Sequence, residues 1–465
     1  SGGGTQTLYT MAIEPRLKAG SPTCAVTTYR SDLADTTMCV CELLTDVLTV
    51  GDHGLFLAMA YPRPLLVVNG TQDAIFPIAG ARAAVRQARR LYAVGGHEAR
   101  VRLEEFNIGH DWSDPMLTLQ IAWFREQFGL EPLPDPALGD GPVDAETLKC
   151  LPGGELPKDA VTLDSLNRKR MKQAGSPGPS AVEIIRERWS GEPDLPKNLT
   201  TATLEPDPRR LFRRWRWSWA SGLGGQITAR VTAPFDPRGV KPRVVVRLDR
   251  DRQVPPLEQL YWDDQIRTAA TVVDFDYTGK GLSPVQEGQV GSALVCAGRS
   301  LLAERARDLL VLLRVLEREK HLGPETELTL VGHGFDGVLL LAAAPLLPER
   351  ARLVLDETPI TYREGAEIDF RTPLLLAPPV HWTILPGVAQ GRDLSDLLAE
   401  AHPRHVLLLH PLDSAQQRMS RAEVARLLPS RSGRGAVEAL AREVPRHRAL
   451  AALAGEVRRS ETTGR

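Results

Sequence analysis

Short uninterrupted apolar runs alternate along this chain with stretches in which apolar residues recur at every third or fourth position. Leu8, Met11 and Ala12 fall at helical spacing, and Pro15 ends that helix. The stretch 17–26 predicts a short buried strand leading into a loop. A long irregular segment follows, through Cys39, Cys41 and Asp52-His53-Gly54. Arg63-Pro64-Leu65-Leu66-Val67-Val68-Asn69-Gly70 is an apolar run closed by turn residues, as expected of a strand covered on both faces in a parallel sheet. An Ala- and Arg-rich helix is predicted over 79–94. Alternation over 101–106 predicts a strand near a sheet edge, and a last helix is predicted over 115–128.

From 131 to 178 the pattern breaks down. Pro132, Pro134, Pro136, Pro142, Pro152 and Pro157 punctuate a connector with few apolar runs, in which 161–171 predicts a polar helix. Periodicity resumes after 179. A helix is expected over 181–189, strands over 226–231, 243–248 and 271–276, and an amphipathic helix over 297–319. The strand expected over 327–331 runs into Gly332-His333-Gly334-Phe335-Asp336-Gly337 and then a helix, a sharp glycine turn with Gly334 at its apex. Strands are expected again over 352–355 and 405–409, with Asp413 in the loop beyond. The expected organisation is a first domain over 1–130, a connector over 131–178 and a second domain over 179–465.

Composition narrows the function classes. A formal net charge of -1 gives no electrostatic case for nucleic acid. No run approaches the ~18 apolar residues of a membrane span. Five cysteines do not make a disulfide framework, and Cys39-x-Cys41 without a matching pair is poor grounds for a metal site. Asn69-Gly70-Thr71 and Asn198-Leu199-Thr200 match a glycosylation triplet that is common by chance. Trp215, Trp217 and Trp219, interleaved with arginines, share one face of a strand. Packing on a core accounts for that stripe better than a stacking surface for sugar or nucleic acid. No signal peptide is visible, and the compartment stays open.

The candidate chemistry sits at the ends of the predicted strands. Ser1-Gly2-Gly3-Gly4-Thr5 followed by a helix looks like the turn of a nucleophile elbow, with small residues expected because a Cβ would clash with the backbone beside it. Asp73 lies just past the run 63–70, and His110 just past 101–106. Ser, Asp and His in that chain order, each where a strand gives way to a loop, suit a serine hydrolase. The hydroxyl attacks, the imidazole carries the proton, and the carboxylate holds the imidazole. Asp73 also suits a plain turn, and His53 and His97 rival His110. A serine at position 1 also fits the N-terminal-nucleophile hydrolases, but parallel-type runs argue against their stacked antiparallel sheets.

Taken together, Ser1-Gly2-Gly3-Gly4-Thr5, Glu14-Pro15-Arg16, Cys39-x-Cys41-Glu42, the strand 62–70, Asp73 with Phe76-Pro77, and Gly109-His110 resemble the C-terminal half of an α/β-hydrolase. The resemblance is to the acetylxylan-esterase and dienelactone-hydrolase-like branch. It implies an α/β fold with parallel sheets, Ser1 as nucleophile, Asp73 as acid, His110 as base and the Gly2 N–H as an oxyanion donor. The strands that precede an elbow are absent from the sequence, so the first domain is expected to be only the C-terminal half. The second resembles a degenerate copy, with Gly334 at the nucleophile position, Asp413 at the acid position and no suitable histidine, since His447 sits in an Arg-rich helical tail. The implied substrate is a small ester or acetylated carbohydrate, and neither a metal nor an organic cofactor is implied. A serine peptidase of the same fold and a non-catalytic carbohydrate- or protein-binding pseudo-hydrolase are the alternatives. The oligomeric state is not legible.

Overall fold

The computed structural model describes residues 1–35, 42–131, 144–151, 155–162, 165, 166, 169, 180–204, 212–235, 241–248, 270–361, 393–401, 404–413, 417–427 and 437–440. Cys39, Cys41, His447 and most of the helix expected over 161–171 lie outside them. The chain divides into two compact units. The first is Ser1–Lys172 with Ser292–Gly298, and the second is Gln173–Gly291 with Arg299–Arg465.

The first unit is built on strand β1, Leu65–Gly70, paired in parallel with β2, Val101–Phe106. All six residues of β1 are buried. Because side chains alternate along a strand, its two faces feed two cores. Leu65 and Val67 join Leu8, Met11, Ala84 and Val85, whereas Leu66 and Val68 join Cys24, Met116 and Trp123. The helices supplying the first core are α1 (Gly2–Ile13) and α5 (Ile78–Ala93), and α6 (Asp114–Gln127) supplies the second. Three shorter helices lie between α1 and β1: α2 (Tyr29–Asp35), α3 (Val47–Val50) and α4 (His53–Met59).

The strand expected over 17–26 is reduced to isolated bridges, Gly20 to Leu65 and Thr23 to Val68, both parallel. Pro22 has no N–H to give a ladder there, and Cys24 turns out of the extended region at φ 47°. Polar anchors hold β1 at its two ends. The Arg63 guanidinium donates to the Glu14 carbonyl at 2.6 Å, and the buried Asn69 amide donates to the Val26 carbonyl at 3.1 Å. An Asn69 buried in this way is not presented as a glycan acceptor.

The second unit contains helix α7 (Ala181–Arg188) and strands β3 (Thr200–Thr203), β4 (Phe212–Ala220), β5 (Gln226–Pro234), β6 (Arg243–Leu248) and β7 (Thr271–Asp276). Helix α8 (Pro284–Cys296), whose residues from Ser292 on belong to the first unit, and α9 (Leu301–Arg318) come next. They are followed by β8 (Glu327–His333), α10 (Phe335–Ala343), β9 (Arg352–Asp356), α11 (Leu394–Glu400), β10 (His405–Leu409), α12 (Arg421–Leu427) and β11 (Val437–Leu440). The sheet order is β11-β10-β9-β8-β6-β7-β5-β4-β3. From β7 to β11 neighbours run parallel, and β3, β4 and β5 complete one edge in antiparallel fashion.

The helix expected over 297–319 starts later, at Leu301. Gly298 at φ 75° separates it from α8, which the pattern did not predict, and Ser300 caps α9 by accepting from the Ala303 N–H. Strand β11 was also not expected. Trp217 and Trp219 are buried and Trp215 is half-buried, with Arg213 and Arg216 outward, so the tryptophan stripe packs on the core. Between β8 and α10 the chain turns at Gly334, with φ 56° and ψ -123°. A Cβ on Gly332 would lie 2.7 Å from the Asp336 carbonyl, so strand and helix meet too closely for a side chain. This strand–turn–helix elbow at the C-terminal rim of a parallel sheet, with the β6/β7 exchange and the antiparallel edge, makes the fold α/β of the α/β-hydrolase type.

Candidate active site

Ser1 is the N-cap of α1 and is exposed, and its side chain makes no capping bond. Its N–H donates to the Thr23 carbonyl at 3.0 Å, which sets it beside the segment that flanks β1. A Cβ on Gly4 would lie 2.3 Å from the Thr23 carbonyl oxygen and 2.7 Å from the Ala25 Cβ. The same test finds open space at Gly2 and Gly3, so the expected backbone clash applies to Gly4 and not to the two glycines before it. Gly2 is the first residue of α1 and is exposed.

Asp73 and His110 are 37 positions apart and meet through Asp73 Oδ2 and His110 Nδ1 at 2.9 Å. The loops that carry them are extensions of paired strands. The Thr71 N–H donates to the Phe106 carbonyl, and the Gln72 N–H to the Ile108 carbonyl. A Cβ on Gly70 would meet the carbonyls of Ile108 and Gly109 at about the distance of a covalent clash, 2.5 and 2.4 Å, so only glycine lets the histidine loop fold this close. The two Asp73 oxygens are used separately. Oδ1 accepts from the N–H groups of Ile75 and Phe76 at 2.8 and 2.9 Å, and Oδ2 faces the imidazole. Asp73 is therefore both the turn residue and the imidazole's partner.

The Asp73 side chain is fully buried, while that of His110 is 27% exposed and stacks on Phe76 with ring centroids 5.6 Å apart. A carboxylate can only accept, so Nδ1 carries the hydrogen and Nε2 keeps its lone pair. Ser1 and His110 line one cavity of about 470 Å³ together with Thr23, Cys24, Trp112 and Gln120. Its wall is a chain of hydrogen bonds. Gln120 accepts from the Trp112 indole at 2.8 Å and donates to the hydroxyls of Ser21 and Thr23, both at 2.7 Å.

The rival histidines lie elsewhere. His53 is wholly buried against Tyr9, Tyr29 and Phe56, and its Nδ1 accepts from the Thr27 N–H at 3.2 Å. Burial lowers its pKa to about 4, so it is a neutral core group. His97 precedes a short 3-10 turn and packs on Tyr61. Cys24, which the sequence did not single out, sits beside the Asp73–His110 pair. Its thiol donates to the Asp111 carbonyl at 3.2 Å, and burial pushes its pKa up. A cysteine alone among loop residues carries no sequence signal for this position.

At the elbow of the second unit the apex is Gly334, as its sequence requires. The Asp413 carboxylate accepts from the Gln417 N–H at 2.8 Å. No suitable histidine is expected beyond Asp413, yet two imidazoles face another carboxylate at this rim, Asp356. His410 Nδ1 lies 3.1 Å from Asp356 Oδ1, and His333 Nδ1 lies 3.6 Å from Asp356 Oδ2. Glu357 stands alongside, 3.5 Å from His333 and paired with Arg418 at 2.8 Å. Asp356 ends β9 and His410 follows β10 directly, with no Gly-His motif to announce it.

No protein-family model matches the chain, and no curated protein matches its sequence. Solved structures resemble it in part. A Bacteroides fragilis protein provisionally called an acetyl xylan esterase is 12% identical, covers 62% of this chain and 84% of its own, and gives a TM-score of 0.44. Acetyl xylan esterase 1 of a Thermoanaerobacterium species is 14% identical over 63% of this chain and 97% of its own, with a TM-score of 0.39. A glucuronoyl esterase of Teredinibacter turnerae is 14% identical over 53% of this chain and 69% of its own, with a TM-score of 0.37. At these identities the likeness concerns the fold alone.

Proposed function

We propose that the first unit hydrolyses small carboxylic esters of the acetyl type, borne on a carbohydrate, through an acyl-enzyme on Ser1. The observation that carries this reading is one cavity lined by a serine hydroxyl and by an imidazole bonded to a buried carboxylate. Ser1 Oγ attacks the ester carbonyl as His110 Nε2 takes its proton. Asp73 holds the Nδ1–H tautomer and offsets the charge of the imidazolium. The Gly2 N–H, next in the chain, faces the developing oxyanion. Collapse breaks the carbonyl–alkoxy bond, and the imidazolium returns the proton to the leaving alcohol. Water, deprotonated by the same nitrogen, then releases the acid and free Ser1.

The carbohydrate half of the proposal draws on two features besides the sequence resemblance. Trp112 is 58% exposed at the cavity, and the Ser21–Gln120–Thr23 wall offers hydroxyl and amide groups. An exposed indole beside hydroxyl and amide partners suits the apolar face and polar rim of a sugar ring. For the second unit we propose a non-catalytic role, because Gly334 offers no nucleophile at its elbow. Turnover of nitrophenyl acetate with a burst of acyl-enzyme, lost by about 10⁴-fold or more in Ser1→Ala, is the expected result. Unchanged turnover in that variant would sink the assignment of the nucleophile.

A further inference from the structure

Three side chains of the first unit bring soft and hard donors to one spot. Cys24 Sγ, an Asp73 carboxylate oxygen and a His110 ring nitrogen all lie within 4.8 Å of one another. Among the described residues no other group of three histidine, cysteine or acidic side chains is this compact. The thiol is aimed there by an uncommon backbone. Cys24 is one of five non-glycine residues at positive φ among those described, at 47°, a conformation that persists where the surroundings over-determine it. The hydrogen-bonded pair already has 2.9 Å between its donor atoms.

We propose that Cys24, Asp73 and His110 form a binding site for a thiophilic divalent cation, Zn²⁺ first, whose occupancy shuts off the hydrolase. The donor set is one sulfur, one nitrogen and one oxygen, which suits Zn²⁺ and disfavours Mg²⁺ or Ca²⁺, both of which prefer oxygen alone. Zinc bonds of about 2.0 Å to nitrogen and oxygen and about 2.3 Å to sulfur set tetrahedral neighbours roughly 3.3–3.8 Å apart, so closure asks for about an ångström of side-chain movement. The fourth position opens on the cavity that Cys24 and His110 line. The imidazole nitrogen beside Asp73 is Nδ1. A cation held there releases one proton, from the thiol, and displaces the ring hydrogen from Nδ1 to Nε2. Nε2 then carries a hydrogen in place of the lone pair that the ester reaction needs. The inhibition rests on the hydrolase reading above, whereas the metal site does not.

The test uses the full chain and the metal alone. Titration with Co²⁺, a coloured stand-in for Zn²⁺, is expected to give a sulfur-to-metal charge-transfer band saturating at one equivalent, with Zn²⁺ displacing it. Cys24→Ser is expected to abolish the band and to weaken Zn²⁺ binding at least about tenfold. His110→Asn, which keeps the thiol, is expected to weaken binding similarly and covers the case in which the first variant does not fold. Each form's own metal-free ester turnover serves as its reference. Zinc is expected to suppress it in the wild type and to leave it unmoved in Cys24→Ser. Absence of the band, or its persistence in Cys24→Ser, overturns the site. A band without ester turnover in any form leaves the metal site standing and removes the hydrolase reading.

Discussion

Two strand rims in this chain carry a carboxylate facing an imidazole, in different company. At the first, Asp73 gives one oxygen to two backbone N–H groups and the other to a single histidine, and that histidine shares a cavity with a hydroxyl. At the second, Asp356 faces two imidazoles, His410 and His333, next to a glutamate already paired with Arg418, and the elbow apex is Gly334. An imidazole oriented by a carboxylate is thus only part of a serine-hydrolase site. What separates the rims is a cavity that the histidine shares with a serine, and a carboxylate that faces one ring and not two.

The largest expected effect tests that contrast directly. Asp73→Asn or His110→Ala should lower kcat/KM for nitrophenyl acetate by about 10⁴-fold, whereas Asp356→Asn and His410→Ala should stay within about twofold of the parent. Comparable losses at the two rims would erase the distinction drawn here.

A further test concerns acid sensitivity in the first unit. His53 is buried in the first unit and titrates near 4 instead of 6.5. Its folded-state pKa is depressed, so the stability it contributes is present above pH 6.5 and is lost as the pH falls toward 4. The full shift is worth about 3 kcal/mol. Urea midpoints between pH 7 and 5 should therefore fall more steeply in the parent than in a His53→Gln variant. Parallel curves would show that His53 is not the group responsible.

Smaller effects sharpen the assignment of substrate and nucleophile. Trp112→Ala should raise KM for an acetylated oligosaccharide about tenfold, or roughly 1.4 kcal/mol, and change nitrophenyl acetate turnover little. Equal changes for both substrates would count against a sugar platform. The smallest effect is expected from Gly334→Ser, which should add no acyl-enzyme burst on a Ser1→Ala background. A burst there would mean that the second rim needed only its hydroxyl.

Much of this arrangement was legible in the residues. The largely apolar run 63–70 predicts a strand buried on both faces, and the structure has one over 65–70; the two residues read from strand ends, Asp73 and His110, lie 2.9 Å apart. What was not legible depends on contacts distant in sequence. Nothing local marks Cys24 as the neighbour of His110, which is 86 positions away in the chain numbering. His410 follows β10 at once, without a Gly-His pair like that at His110, and its carboxylate comes from another strand. The reduced strand at 17–26 traces to Pro22, and the steric reason offered for three glycines applies to Gly4 alone.

Because both faces of β1 are greasy, polarity does not by itself stop that segment from sliding against its neighbours. The guanidinium of Arg63 at one end and the amide of Asn69 at the other add polar marks to that alignment. A slip of one residue would carry the carboxylate beyond it by about 3.3 Å, more than a hydrogen bond tolerates. Two polar anchors outside the cavity lining thereby help to decide whether the carboxylate and the imidazole meet.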